Sequence, residues 1–130
     1  MNISMTKFLI DYTILFILIL LLDSIFLNLM SGKFNDQISL IQGQNIELKY
    51  FGVILFYLLF TLGIYYFGVK MNLKLLDIFI LGLFAYGTFE LTNYSILKDW
   101  KFSTVLIDTL WGGVLLSSVI YLFRMIKNFM

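Results

Sequence analysis

A chain of 130 residues that is 61% hydrophobic and 13% charged, with mean hydropathy +0.95 and net charge +1, is too apolar for an ordinary water-soluble domain, which runs nearer half apolar and a quarter charged. The balanced charge, with no basic stripe, excludes nucleic acid as a partner. The absence of cysteine and histidine excludes disulfides, thiol nucleophiles, Ser–His triads and the usual zinc sites. The length allows one domain, residues 1–130, and its main contact is the lipid bilayer.

A spanning helix needs about 20 mainly apolar residues, and four stretches qualify. The first, residues 8–30, carries the run ILFILILLL. That run is longer than a signal-peptide core and no A-x-A-like cleavage site follows, so it reads as a span. A loop is expected over residues 31–49. The second span covers residues 50–69, and Lys70 and Lys74 bracket a tight turn after it. The third, residues 75–97, is the most polar. A short loop, residues 98–103, leads to the fourth, residues 104–126. Tyr50, Tyr94 and Trp100 fall where an interfacial aromatic belt is expected. The predicted fold is therefore all-α, an integral membrane bundle of four transmembrane helices with both termini on the same side.

Proline is absent, so only glycines such as Gly63, Gly82, Gly87 or the Gly112–Gly113 pair could interrupt these spans, and continuous helices are expected. Lys7, Lys70, Lys74, Arg124 and Lys127 fall on the terminal side, against Lys33, Lys49, Lys98 and Lys101 on the other. This small excess favours cytoplasmic termini. With no retention signal, a bacterial plasma membrane is the default location.

Asp23, Glu90 and Asp108 lie inside the spans without a basic companion there. A carboxyl at such a position is costly and often functional. Counting inward from the span ends near the 31–49 and 98–103 loops, all three sit roughly 6–11 Å below one surface at 1.5 Å per residue. Asn93 is slightly shallower, and Tyr57 and Thr61 are at similar or somewhat greater depth. Helical phase aligns Gly82, Tyr86, Glu90 and Asn93 on one stripe, Tyr57 and Thr61 on another, and Thr104, Asp108 and Gly112 on a third with Trp111 beside it. Gly82, Ala85, Gly112 and Gly113 allow close helix approach. The candidate binding set is thus Asp23, Glu90, Asn93, Asp108, Tyr86, Tyr57, Thr61 and Trp111.

Two roles compete for that set. The acids could be protonated interhelical glue, hydrogen-bonded to Tyr, Thr or Asn, or a shared site for a proton, a cation or a polar head group. Asp11 and Asp77 lie near a membrane surface and are expected to remain hydrated. Trp100 reads as an ordinary interfacial residue, and Lys98 as the loop residue able to reach Glu90. Residues 22–26 (LDSIF) and 107–111 (IDTLW) echo each other, five residues being too few to establish a duplication.

The segment AYGTFELTNYSILKDWKFSTVLIDTLWG, residues 85–112, resembles the DUF2177 family of small four-span membrane proteins. That family shows a pattern like A-Y-G-T-Y-D-x-T-N, then a loop Trp, then D-x-x-W-G. Ala85, Tyr86, Gly87, Thr88, Thr92, Asn93, Trp100, Asp108, Trp111 and Gly112 fit it, and Asp23 fits an aspartate late in the first span. Glu90 stands where the family usually has Asp, Lys101 where Pro is common, and Phe26 where Trp is frequent. The resemblance implies the four-span topology and the choice of acids; it implies no activity.

Three functions follow from these residues. Acids without basic partners suit protons, hard cations or a cationic solute, and a divalent cation such as Mg²⁺ or Ca²⁺ takes oxygen ligands. Four helices make thin walls, so transport calls for a homo-oligomer. The same acids could serve a membrane enzyme acting on lipid head groups. They could equally set helix pairing in an accessory subunit with a membrane partner protein.

Overall fold

The computed structural model describes residues 2–130. It is helical, with four helices long and apolar enough to cross a membrane, and no strand among the described residues. Helix α1 runs Ile3–Gln42, α2 Tyr50–Ile64, α3 Leu75–Ile96 and α4 Phe102–Asn128.

Helix α1 departs most from expectation. Its 40 residues extend about 60 Å, twice the hydrocarbon thickness of a bilayer. Most of the loop expected over residues 31–49 is therefore helix. Nothing in residues 31–42 breaks it, since no proline intervenes and Gly32 is merely tolerated. Asn2 caps the start, its side chain accepting from the Met5 N–H at 2.8 Å. Gly43 ends the helix in the left-handed region at φ 79°, its N–H donating to the Ser39 carbonyl at 2.8 Å, the usual glycine C-terminus.

The second span also differs from a continuous α-helix. After Ile64 it passes into a π-helical turn, Tyr65–Lys70, so one span is interrupted without proline. The turn is held from outside. Arg124 of α4 donates from Nη2 to the Gly68 carbonyl at 3.2 Å and the Leu73 carbonyl at 2.6 Å, supplying donors where the regular helical ladder stops. Gly68 lies against Ile120, and a Cβ there would overlap that side chain.

Helix α4 is the centre of the bundle. It packs extensively on α3 and also on α1, while α1 packs on α2 and α2 scarcely touches α3. The apolar core joins Leu115, Leu116, Val119, Ile120 and Phe123 of α4 to Leu15, Ile19, Ile64 and Ile78. The α3–α4 seam is tight because it is built on glycine. A Cβ at Gly82 would overlap the Gly112 carbonyl, and one at Gly112 would overlap the Tyr86 ring. In lipid, where apolar side chains gain nothing by leaving the solvent, such close packing is a main source of helix association.

Lys127 near the end of α4 reaches Asp11 near the start of α1, Nζ to Oδ1 2.7 Å, so these two helix ends lie at one end of the bundle. Asp11 is only 1% exposed. The expectation of a hydrated Asp11 is therefore corrected: this carboxylate is buried and paired with an ammonium contributed by a helix 116 positions away.

Candidate functional site

The acid layer lies in the other half of the bundle. Asp23 on α1 is 6% exposed and accepts two hydrogen bonds, from the Tyr57 hydroxyl of α2 at 2.5 Å and from the Trp111 Nε1–H of α4 at 3.0 Å. One carboxyl thus ties three helices together. The Phe26 ring stacks on Trp111, centroids 4.6 Å apart and planes within 3°. The two echoing segments are consequently in contact, and Phe26 covers the indole face although it carries no N–H.

Glu90 on α3 is 1% exposed. Its Oε1 accepts from the Trp100 Nε1–H at 2.9 Å. The half-buried Asp108 carboxyl of α4 is its close neighbour. Tyr86 stands beside Asp23, Asp108 and Tyr57, its ring in the glycine seam. Asp23, Glu90, Asp108, Tyr57, Tyr86 and Trp111, from four helices, therefore occupy one neighbourhood.

Two residues of the expected set stand apart. Thr61 is fully buried but donates to its own helix, at the Tyr57 carbonyl, 2.7 Å. Asn93 is half-buried, and among the described residues no side-chain hydrogen bond joins it to the acids. Among the described residues, no group of three or more Asp, Glu, His or Cys side chains is arranged to hold a metal ion. The divalent-cation expectation therefore gains no support from the geometry.

Sequence reasoning missed Trp100. This residue is 9% exposed and folds back onto Glu90, where Lys98 was the loop residue expected to reach. The reversal passes through Asp99 in the left-handed region, φ 69°, a conformation that Asp tolerates better than most residues. The signal available was the loop Trp of the family pattern, four residues before Thr104. Trp100→Phe keeps the ring but leaves buried Glu90 without that donor, at a cost of about 1–3 kcal/mol. A lowered denaturation midpoint with helicity unchanged is the expected result; an unchanged midpoint would remove Trp100 from the site.

Gln37 was missed as well, because it falls in the segment read as loop. It is 1% exposed, and its Oε1 accepts from the Lys101 N–H at 2.7 Å and from the Thr104 hydroxyl at 3.1 Å. Lys33 adds a bond from Nζ to Ser103 Oγ at 2.8 Å. The projecting part of α1 is therefore pinned to the start of α4, one turn from Asp108.

The fold and its layer of carboxyls define a class: a multi-pass membrane protein with acidic groups packed between its helices. Within that class the chain belongs to the DUF2177 family, described as "Predicted membrane protein (DUF2177)", which it matches over residues 8–123. No curated protein and no solved structure matches it.

Proposed function

We propose that the acid layer is a proton-binding site, and that the protein takes up and passes on protons within the membrane, as part of transport. The observation that carries this reading is the Glu90–Asp108 contact. Two ionised carboxylates are both acceptors and cannot hydrogen-bond each other; a proton on one of them supplies the donor. No Lys, Arg or His lies within the spans at this depth to substitute for that proton. Asp23, already accepting from Tyr57 and Trp111, is the neighbouring acid to which such a proton could pass. Metal transport has less support, since no group of three or more potential ligands is arranged around a metal position among the described residues.

The chain acts in this reading as one domain of four helices in a bacterial plasma membrane, with cytoplasmic termini. The small excess of basic residues on the terminal side supports that orientation. Because four helices are thin walls for a pathway, a homo-oligomer is the working unit.

The test is infrared difference spectroscopy of the reconstituted protein between low and high pH, with proton flux into liposomes measured alongside. The wild type should show a protonated-carboxyl band that titrates. Glu90→Gln and Asp108→Asn should each remove it and abolish flux in folded protein. A titrating band that survives both substitutions, or wild-type protein with no proton flux, would sink the proposal.

A further inference from the structure

The α2–α3 seam is open, and its chemistry points to a specific occupant. Between the two helices lies a groove of about 720 Å³, within the ~300–1,000 Å³ range of small-molecule sites. Phe56, Phe60 and Gly63 of α2, then Tyr66 and Lys70 of the π-helical turn, form one wall; Leu81 and Ala85 of α3 form the other. Phe60 meets Tyr86 edge to face across the seam, centroids 6.1 Å apart, so the groove runs past the acid layer without containing it.

From Phe56 to Lys70 the wall is about 20 Å long and its lining is almost wholly apolar, a bed for an alkyl chain. The charge selects among occupants. Lys70 closes one end of the groove, its ammonium 5.3 Å from the Tyr66 ring centroid, and among the described residues it has no carboxylate partner. The π-helical turn sets the position of Tyr66 and Lys70 at this end, and such turns recur at functional sites.

We propose that this groove binds one anionic phospholipid of the surrounding bilayer, an acyl chain lying between α2 and α3 and the phosphate facing Lys70. The site is independent of proton binding by the acids, so either assignment can fail alone.

Gly63 provides a clean plug. A Cβ at this position meets nothing within 4 Å, and leucine is a far better helix former than glycine, so Gly63→Leu places a branched side chain in the groove from a position with room for its first carbon. The experiment is native mass spectrometry of the full-length protein in detergent, titrated with dioleoyl phosphatidylglycerol and with dioleoyl phosphatidylcholine. The wild type should bind one phosphatidylglycerol about fivefold more tightly than phosphatidylcholine, the order expected for one lysine facing an anionic head group. Lys70→Gln should retain chain binding and lose the preference. Gly63→Leu, with a thermal midpoint no lower than wild type, should lose both lipids. Lipid retention unchanged in folded Gly63→Leu, or a phosphatidylglycerol preference that survives Lys70→Gln, overturns the assignment. So does a dimer that Gly63→Leu converts to monomer with lipid binding intact, since a second copy would then be the occupant.

Discussion

Gly112→Val should prevent the bundle from assembling. The α carbon of Gly112 faces the Gly82 carbonyl and the Tyr86 ring, and even a methyl group there would overlap the ring. Overpacking in a well-packed interior costs about 1–3 kcal/mol when side chains can shift. Here one obstacle is the backbone of α3, which moves only if the whole helix withdraws. Withdrawal would also part Glu90 from Asp108, because both sit on the same two helices. The expected result is a protein that inserts, fails to give a monodisperse species in detergent and loses the protonated-carboxyl band. Gly63→Ala is the control for a helical glycine in open space: its methyl meets nothing within 4 Å and should raise stability by roughly 1 kcal/mol, the propensity difference between the residues. If Gly112→Val purifies and melts like wild type, the glycine seam is not what holds α3 to α4.

Lys127→Met should be the most damaging substitution near the termini. Asp11 is buried with one ammonium 2.7 Å away. Removing that partner strands a carboxylate in an apolar site, at a cost of about 3–5 kcal/mol. Replacing both partners avoids the stranded charge, so the double variant Asp11→Leu with Lys127→Met should recover most of the loss. Denaturation midpoints of the two single variants and the double variant, treated as a cycle, measure the coupling. Additive effects would mean that the pair is not a unit in the membrane. The outcome separates two descriptions of Asp11, since a hydrated surface carboxylate would respond to Lys127→Met by less than about 1 kcal/mol.

The membrane character and the four spans were legible, and the shared depth of Asp23, Glu90 and Asp108 could be expected, because each depends on local quantities. Hydropathy sums over a window of about 20 residues, and depth follows from counting residues at a fixed rise. The stripes on α3 and α4 were legible for a similar reason: Gly82, Tyr86 and Glu90 recur at one helical phase whatever they face. The family pattern added Asp108, Trp111 and Gly112 as a unit. Expectations failed where a residue's environment was set by a distant segment. Asp11 looked superficial by depth, yet α4 buries it. Trp100 looked interfacial by type, yet the turn at Asp99 carries it back to Glu90. Residues 31–42 looked like loop because hydropathy falls there, although falling hydropathy marks the edge of the membrane and not the end of a helix.

What the sequence determined by itself is which four segments are long and apolar enough to cross a bilayer and which acids they carry, since transfer free energy is close to additive along a helix. The tertiary structure decided how those acids are paired. Helix rotation and the glycine contact brought Glu90 against Asp108, and packing around α4 set Tyr57 and Trp111 on Asp23. The same packing left α2 apart from α3, opening the groove. Such outcomes depend on the relative rotation and separation of whole helices. A change of a few ångströms in either exchanges one set of partners for another while leaving every hydropathy window as it was.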